Sequence, residues 1–501
     1  MHRRGFGSSF VHGACGAIAL AVLVFAADAG SRTYEERDAA RVSAPDASSR
    51  PLSTAILDPA SFGGDESAIA YEHARRTGAR FLRVQVNWAD VAPKGKKPNP
   101  FHPRDPGDSG YDWAGIDAVL RMTVRSGFIP IVYVQTAPSW AQLCSHGPGP
   151  CRPSQNDFAD FVTAAAQRYR GGYLGLPRVR YWQIWNEPNF SAFLMPQADA
   201  ARQPISPEIY RALVNAAYLA IHNVHADNVV IAGGTMPYGK THKLVNAVSP
   251  LLFMRNLLCL SAGLHPRRIC ANRVRFDVWA HHPYTGGDPQ HHAGLSDNIS
   301  VPDLWKMRVL LDAAEKLGSL QSRGRVRFWV TEFAWDTNPP DPEGVPEKLH
   351  ARWVAEAMYR MWDQGVSLVT WFLLRDRATG PYQSGLYFRG SQGVASDTPK
   401  PALTAFRFPF VAFREAKSMS VVFWGRSPQG HAAVRVDLQV DGKRRVVARV
   451  RANRYGIFSG RFRSTATRGF VGASIADGSD AALPFSLVVP PDRPGCVWGT
   501  C

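Results

Sequence analysis

Val179-Arg180-Tyr181-Trp182-Gln183-Ile184-Trp185-Asn186-Glu187-Pro188-Asn189 is an apolar run of strand length that ends on a carboxylate. Pro188 has no N–H to give to a ladder, so the strand stops there and Glu187 stands at its end. A second run of the same form is Arg327-Phe328-Trp329-Val330-Thr331-Glu332-Phe333, again an apolar strand closing on a glutamate. The position of these two strands in the chain decides how the rest is read.

Working outward, apolar runs alternate with amphipathic stretches from about Thr54 to Phe410. Strands are predicted at 54–58, 80–87, 129–134, 179–185, 228–233, 275–280, 326–331 and 367–373. Helices are predicted at 67–77, 113–126, 156–170, 206–224, 302–317 and 346–364, with 400–412 supplying the last and 242–260 indistinct. Alternation of this kind builds parallel sheets. Eight such units point to a closed α/β barrel, a (β/α)8 or TIM barrel, rather than an open sheet. In that barrel the catalytic groups sit at the C-terminal ends of strands. Glu187 then ends strand four and Glu332 strand seven, across the ring from each other.

Hydrolysis of a glycosidic bond takes two carboxyl groups, one protonated to expel the leaving oxygen and one ionised to attack. Trp185-Asn186-Glu187-Pro188-Asn189, with the later Thr331-Glu332, resembles the clan of (β/α)8 retaining glycoside hydrolases, families 39 and 5 in particular. The resemblance covers roughly residues 54–410. It implies that Glu187 is the acid/base and Glu332 the nucleophile. It implies further that Asn186 bonds the sugar 2-hydroxyl and that Arg83, a charge inside an apolar strand, keeps the nucleophile ionised. At the end of strand six, in Trp279-Ala280-His281-His282-Pro283-Tyr284, the resemblance puts a group that orients the nucleophile. His282 and Tyr284 are both candidates. Trp371 on strand eight resembles the aromatic floor under the sugar. Trp88, Trp140 and Trp335, at or just past strand ends, are further stacking candidates. For any of these rings a core position is the competing role. No metal or organic cofactor is required by the two-glutamate mechanism, and a metal site among His282, His291 and His292 is the weaker reading because no acidic ligand joins them.

Beyond Phe410 the period changes to two: Val434, Val436, Leu438 and Val440 alternate with Arg435, Asp437 and Gln439, and Asp441-Gly442 signals a hairpin. Further strands are predicted at 445–450, 469–475 and 484–489. Residues 413–501 therefore form a small antiparallel β-sandwich that braces the barrel or binds carbohydrate, and residues 53–412 the barrel itself.

The chain begins with a basic start (Arg3, Arg4), an apolar run Ala14–Ala27 and a small-residue site at Ala27-Asp28-Ala29. This reads as a signal peptide over 1–29, followed by a flexible leader over 30–52. Without Cys15, six cysteines remain in three close couples, so local disulfides 144–151, 259–270 and 496–501 are expected in an oxidising compartment. The formal net charge of +17 favours association with an anionic cell envelope. Basic residues are scattered and no binding motif speaks for nucleic acid. The sequence thus predicts a secreted, monomeric hydrolase of a poly- or oligosaccharide. The other reading on the same barrel is a carbohydrate-binding envelope protein without turnover. The loops 92–110, 236–250 and 376–398 would set the sugar specificity.

Overall fold

The computed structural model describes residues 50–144, 150–239, 246–415 and 418–490. Eight parallel strands close into a barrel: β1 Ser53–Leu57, β2 Phe81–Asn87, β3 Ile129–Gln135, β4 Tyr181–Ile184, β5 Val229–Thr235, β6 Val278–His281, β7 Arg327–Val330 and β8 Val366–Phe372. The ring is sealed where β1 pairs with β8, Ser53 opposite Leu368. Helices α1 Ser67–Arg76, α2 Ala114–Arg125, α3 Gln155–Arg168, α4 Ser206–Val224, α5 Pro250–Leu258, α6 Leu304–Lys316, α7 Glu347–Asp363 and α8 Pro401–Arg407 alternate with the strands. Local signals set their ends. Ser154 accepts a hydrogen bond from Asp157 N at the start of α3, and prolines occupy the first turns of α4, α5 and α8.

The indistinct stretch 242–260 contains α5, which starts at Ser249-Pro250. The helix predicted over 400–412 ends at Arg407, and the chain turns into a strand instead. Phe408 precedes Pro409, which pushes it out of helical geometry (φ −128°, ψ 68°) and ends the helix.

Inside the barrel, Ala55, Phe81, Ile131, Val229, Ile231, Val278, Ala280, Trp329 and Leu368 form one apolar layer. Because side chains alternate along each strand, the inward positions above that layer include Arg83 on β2 and Gln183 on β4. Both are buried. The interior thus changes from hydrocarbon to polar groups toward the C-terminal ends of the strands.

The C-terminal part is an antiparallel two-sheet module. β9 Phe410–Arg414, β10 Ser420–Arg426 and β13 Ile457–Arg463 form one sheet. β11 Ala433–Val440, β12 Lys443–Arg451, β14 Phe470–Ile475 and β15 Phe485–Ser486 form the other. The β11–β12 hairpin turns at Asp441 (φ 47°) and Gly442 (φ 77°), left-handed at both positions as a type I′ turn requires. β10 and β13 are strands that the hydrophobic pattern does not announce. Each carries a glycine beneath an aromatic ring of the other: a Cβ on Gly425 would lie 2.3 Å from Phe458, and one on Gly460 2.6 Å from Phe423. A glycine that weakens the strand pattern is here what lets the ring lie flat on the backbone.

This module is fixed to the barrel by specific contacts. Trp424 of β10 packs on Trp362 of α7 with ring centroids 5.3 Å apart. Arg352 of α7 lies over Phe485 and donates to the Ser486 carbonyl at 2.8 Å. The buried Arg426 donates from Nε to the Leu52 carbonyl at 2.8 Å, just ahead of β1.

Cys144–Cys151 and Cys259–Cys270 are disulfide-bonded. The couple 496–501, the segment 1–29 and most of the leader lie outside the described residues. Among the described residues no helix is long and apolar enough to cross a membrane.

Candidate active site

β4 ends at Ile184, and the next residues take unusual backbone conformations, with φ of 68° at Trp185 and 40° at Glu187. Left-handed geometry at such residues costs about 1–3 kcal/mol each and persists only where the surroundings impose it. Here Trp185 N donates to Val134 O (2.8 Å) and Glu187 N to Gly234 O (2.9 Å). Gly234 must be glycine for that approach, since a Cβ there would stand 2.5 Å from Gln183 Nε2. Glu187 is thereby held at the barrel mouth.

Glu332 follows β7 by two residues and is gripped at both oxygens. Arg83 Nη1 meets Oε2 at 3.0 Å, and the Tyr284 hydroxyl donates to Oε1 at 2.7 Å. The same guanidinium donates from Nε to Gln183 Oε1 (3.0 Å) and from Nη2 to Asn186 Oδ1 (2.8 Å). Its planar face lies 3.9 Å from the ring centroid of Tyr133. One arginine therefore ties β2, β4 and the nucleophile candidate together. Its fixed fork serves acceptors in three directions, which an ammonium could not do in this geometry.

Glu187 has a different environment. His282 Nδ1 lies 3.0 Å from Glu187 Oε1, and His282 Nε2 lies 3.1 Å from Thr331 Oγ1. Burial pushes the Glu187 carboxyl up to about 7, with Arg83 opposing the rise. Burial lowers His282 to about 3, so the ring beside Glu187 is neutral at ordinary pH. Burial raises the Tyr284 phenol, and the Glu332 charge raises it further, so it stays a donor.

The eight site residues read from the sequence fall into two groups. Glu187, Glu332, Asn186, Arg83, His282 and Tyr284 converge as two hydrogen-bonded groups, Arg83–Glu332–Tyr284–Asn186 and His282–Glu187, with ligand atoms of Glu187, His282 and Glu332 within 4.8 Å of one another. The two orienting candidates have different partners, since Tyr284 touches Glu332 whereas His282 touches Glu187. Trp88 and Trp371 do not join them. Trp88 has 0 % of its surface exposed and stacks on Phe161 of α3, with centroids 5.5 Å apart. Trp371 is 1 % exposed and lies among His350 of α7 and Phe406 of α8. Both rings are core of the helix layer, because their positions in β2–α2 and β8 turn them away from the barrel axis. Trp140 packs against Trp88, and Trp335 is buried with Nε1 on the Thr285 carbonyl.

The sequence reading missed Gln183, Thr331, Phe372 and Tyr382. Counting by twos from the inward Leu368 puts Phe372, not Trp371, on the inner face of β8. Tyr382 meets Phe372 edge to face at 5.3 Å, and its hydroxyl is pushed up to about 12 by burial and by the Glu332 charge. No local signal marks it.

Glu187, His282 and Glu332 each offer one ligand atom within 4.8 Å of the others, the spacing a cation could use. However, both Glu332 oxygens already have donors, one of them a guanidinium, and added positive charge there would be repelled by Arg83. The set fits proton chemistry better than a metal. Of the other two histidine candidates, His292 does have an acidic partner, Asp303, against the expectation that none joins them, but that carboxylate is also held by Lys306 at 2.8 Å.

No family model matches the chain, and no curated protein matches it in sequence. Among solved structures it is similar to a family 39 glycoside hydrolase from the gut symbiont Bacteroides cellulosilyticus WH2, with 16% identity, a TM-score of 0.50, and coverage of 83% of this chain and 82% of that one. It is also similar to a family 51 α-L-arabinofuranosidase from Bifidobacterium longum (12% identity, TM-score 0.42, covering 83% and 96%). A third is Bacteroides uniformis β-glucuronidase 2 (11% identity, TM-score 0.42, covering 87% and 46%), of which this chain spans less than half. The chain thus has the closed-barrel fold found in (β/α)8 glycoside hydrolases such as that family 39 enzyme.

Proposed function

We propose that the protein is a secreted retaining glycoside hydrolase, acting on an O-glycosidic bond of a poly- or oligosaccharide through Glu187 and Glu332. The observation that carries this reading is the pair's spacing together with its unequal surroundings. Oxygens of the two carboxyl groups lie within 4.8 Å. That favours direct attack over the ~6.5–9.5 Å arrangement in which a water fits between the carboxyls. The group with cationic and phenolic partners suits the nucleophile, and the one raised to about 7 suits the acid.

In the first step a Glu332 oxygen forms a bond to the anomeric carbon. The bond to the leaving oxygen breaks, and that oxygen takes the Glu187 proton. In the second, water attacks the same carbon and gives its proton to Glu187, and the ester to Glu332 is released. Asn186 has its carbonyl engaged by Arg83, so its –NH2 end is the one that can donate to a sugar hydroxyl. Tyr284 must let go of part of its hold on Glu332 as the ester forms and its charge disappears. Phe372 and Tyr382 supply the apolar wall that Trp371 does not.

Two disulfides among the described residues and the export-like start support an extracytoplasmic location. The test is reducing-sugar release by residues 30–501 on a broad panel of glycans and aryl glycosides, with Glu187→Ala and Glu332→Gln as controls. Release by the parent protein alone supports the assignment. Release that survives both substitutions would move the chemistry elsewhere, and a bound but uncleaved glycan would make the barrel a binding protein.

A further inference from the structure

Residues 418–490 carry eleven Lys and Arg against four Asp and Glu, so the C-terminal module is more basic than the chain as a whole. Four of these arginines share one sheet face. In the β11–β12 register, Arg435 stands directly opposite Arg449, Ala433 opposite Arg451, and Gln439 opposite Arg444. These positions alternate with the buried Val434, Val436 and Leu438, so they share the outer face. Asp437 is the acid beside them, bonded to Arg435 at 3.2 Å and to Arg444 at 2.6 Å. Arg449 and Arg451 are exposed and form no ion pair among the described residues.

Like charges directly opposite on neighbouring strands destabilise a sheet. A strand that keeps Arg449 facing Arg435 is set up to receive negative charge from outside. The same face continues onto β14, where Gly472 pairs with Asp437 and Phe470 with Gln439. A side chain at Gly472 would meet nothing within 4 Å, and Phe470 is 49 % exposed beside it. The face is therefore a strip with Arg444, Arg449 and Arg451 along one side, interrupted by the exposed Val446 opposite Asp437, and an aromatic ring at one end.

We propose that this outer face of β11, β12 and β14 is a binding surface for an acidic polysaccharide, one bearing carboxylate groups along its length. Guanidinium forks pair with carboxylates bidentately, and the alternate positions of Arg449 and Arg451 along β12 space that pair ~6.6 Å apart, with Arg444 further along the same side, in step with an extended chain rather than a single small anion. Phe470 gives a sugar ring an apolar face to rest on. A polysaccharide is preferred to another polyanion because of the glycosidase reading of the barrel. The surface would hold the enzyme on the polymer while the barrel works on it or on a neighbouring chain.

The experiment is affinity electrophoresis of the full chain through gels containing polygalacturonate, with lichenan as the neutral comparison. Arg449→Ser/Arg451→Ser and Arg449→Lys/Arg451→Lys are run beside it, and so is Glu332→Gln. The parent protein should be retarded by polygalacturonate and not by lichenan, less so at high salt. The serine pair should bind roughly tenfold more weakly, the lysine pair should recover part of the loss, and thermal melting should be unchanged in both. Glu332→Gln should bind like the parent, so failure of the catalytic reading would leave this result standing. Equal retardation of the serine pair would overturn the proposal. So would equal retardation by lichenan, or binding confined to phosphatidylglycerol vesicles tested in parallel.

Discussion

Arg83 and Glu332 meet at 3.0 Å across the barrel, the arginine side chain wholly shielded and the carboxylate 15 % exposed. The cation is thus supplied from the dry side, and the carboxylate keeps its exposed part toward the mouth. An arrangement of this kind is rigid, because Arg83 has two further acceptors to satisfy.

Replacing Arg83 by lysine tests that rigidity. A single ammonium cannot serve Gln183, Asn186 and Glu332 at once, although it keeps the charge. Arg83→Lys should lower kcat/KM by roughly 100-fold, and Arg83→Met should also cost about 3–5 kcal/mol of stability by stranding a buried carboxylate. Steady-state kinetics and urea unfolding check the two halves separately.

Tyr284→Phe removes one hydrogen bond to Glu332 and no packing volume. A neutral donor to a carboxylate contributes about 1.5–3 kcal/mol, so kcat/KM should fall roughly 10- to 100-fold with little change in melting temperature. An unchanged rate would mean that Tyr284 only fills space.

The pH profile follows from Glu187. As the acid it must be protonated, so kcat/KM should fall as pH rises through about 7, and Glu187→Ala should lose that limb. The same raised value has a stability consequence. Its contribution is fully present below the ordinary 4.5 and is lost as pH rises through about 7, where the buried group must ionise. Glu187→Gln should therefore be more stable than the parent at pH 8, by up to ~3 kcal/mol, and show no such gain at pH 4. Calorimetry at the two pH values decides it.

Phe372 and Trp371 make a matched pair. Phe372→Ala should weaken substrate binding, seen as a higher KM, because its position faces the mouth. Trp371→Ala should chiefly unfold the protein, by about 3–5 kcal/mol, since it fills the helix layer. The reverse pattern in KM and melting would reinstate the tryptophan as the sugar's floor.

The barrel was legible in the sequence because its strands are β-branched and aromatic runs set between amphipathic helices. The carboxylates were legible because they end two of those strands. What stayed hidden has physical reasons. Trp371 looked like the platform by residue type, but the period of two places its neighbour there. Gln183 is a polar residue in an apolar run, and only Arg83, a hundred positions away, explains it. Tyr382 comes from a loop whose path the pattern of hydrophobicity does not encode. β10 and β13 were masked by the glycines that their cross-strand rings require.

The contact from Arg426 to the Leu52 carbonyl bears on the order of events during synthesis. The first strand of the barrel leaves the ribosome early, yet two of its fastenings arrive late: β8 closes the ring, and Arg426 comes after that. Until both have emerged, β1 has one neighbour in β2 and an unpaired edge open to other chains. A chain cut short after α8 would keep the ring but lose the second fastening, with Trp362 uncovered as well. The small module thus adds no strand to the ring but gives its first strand a second, later fastening.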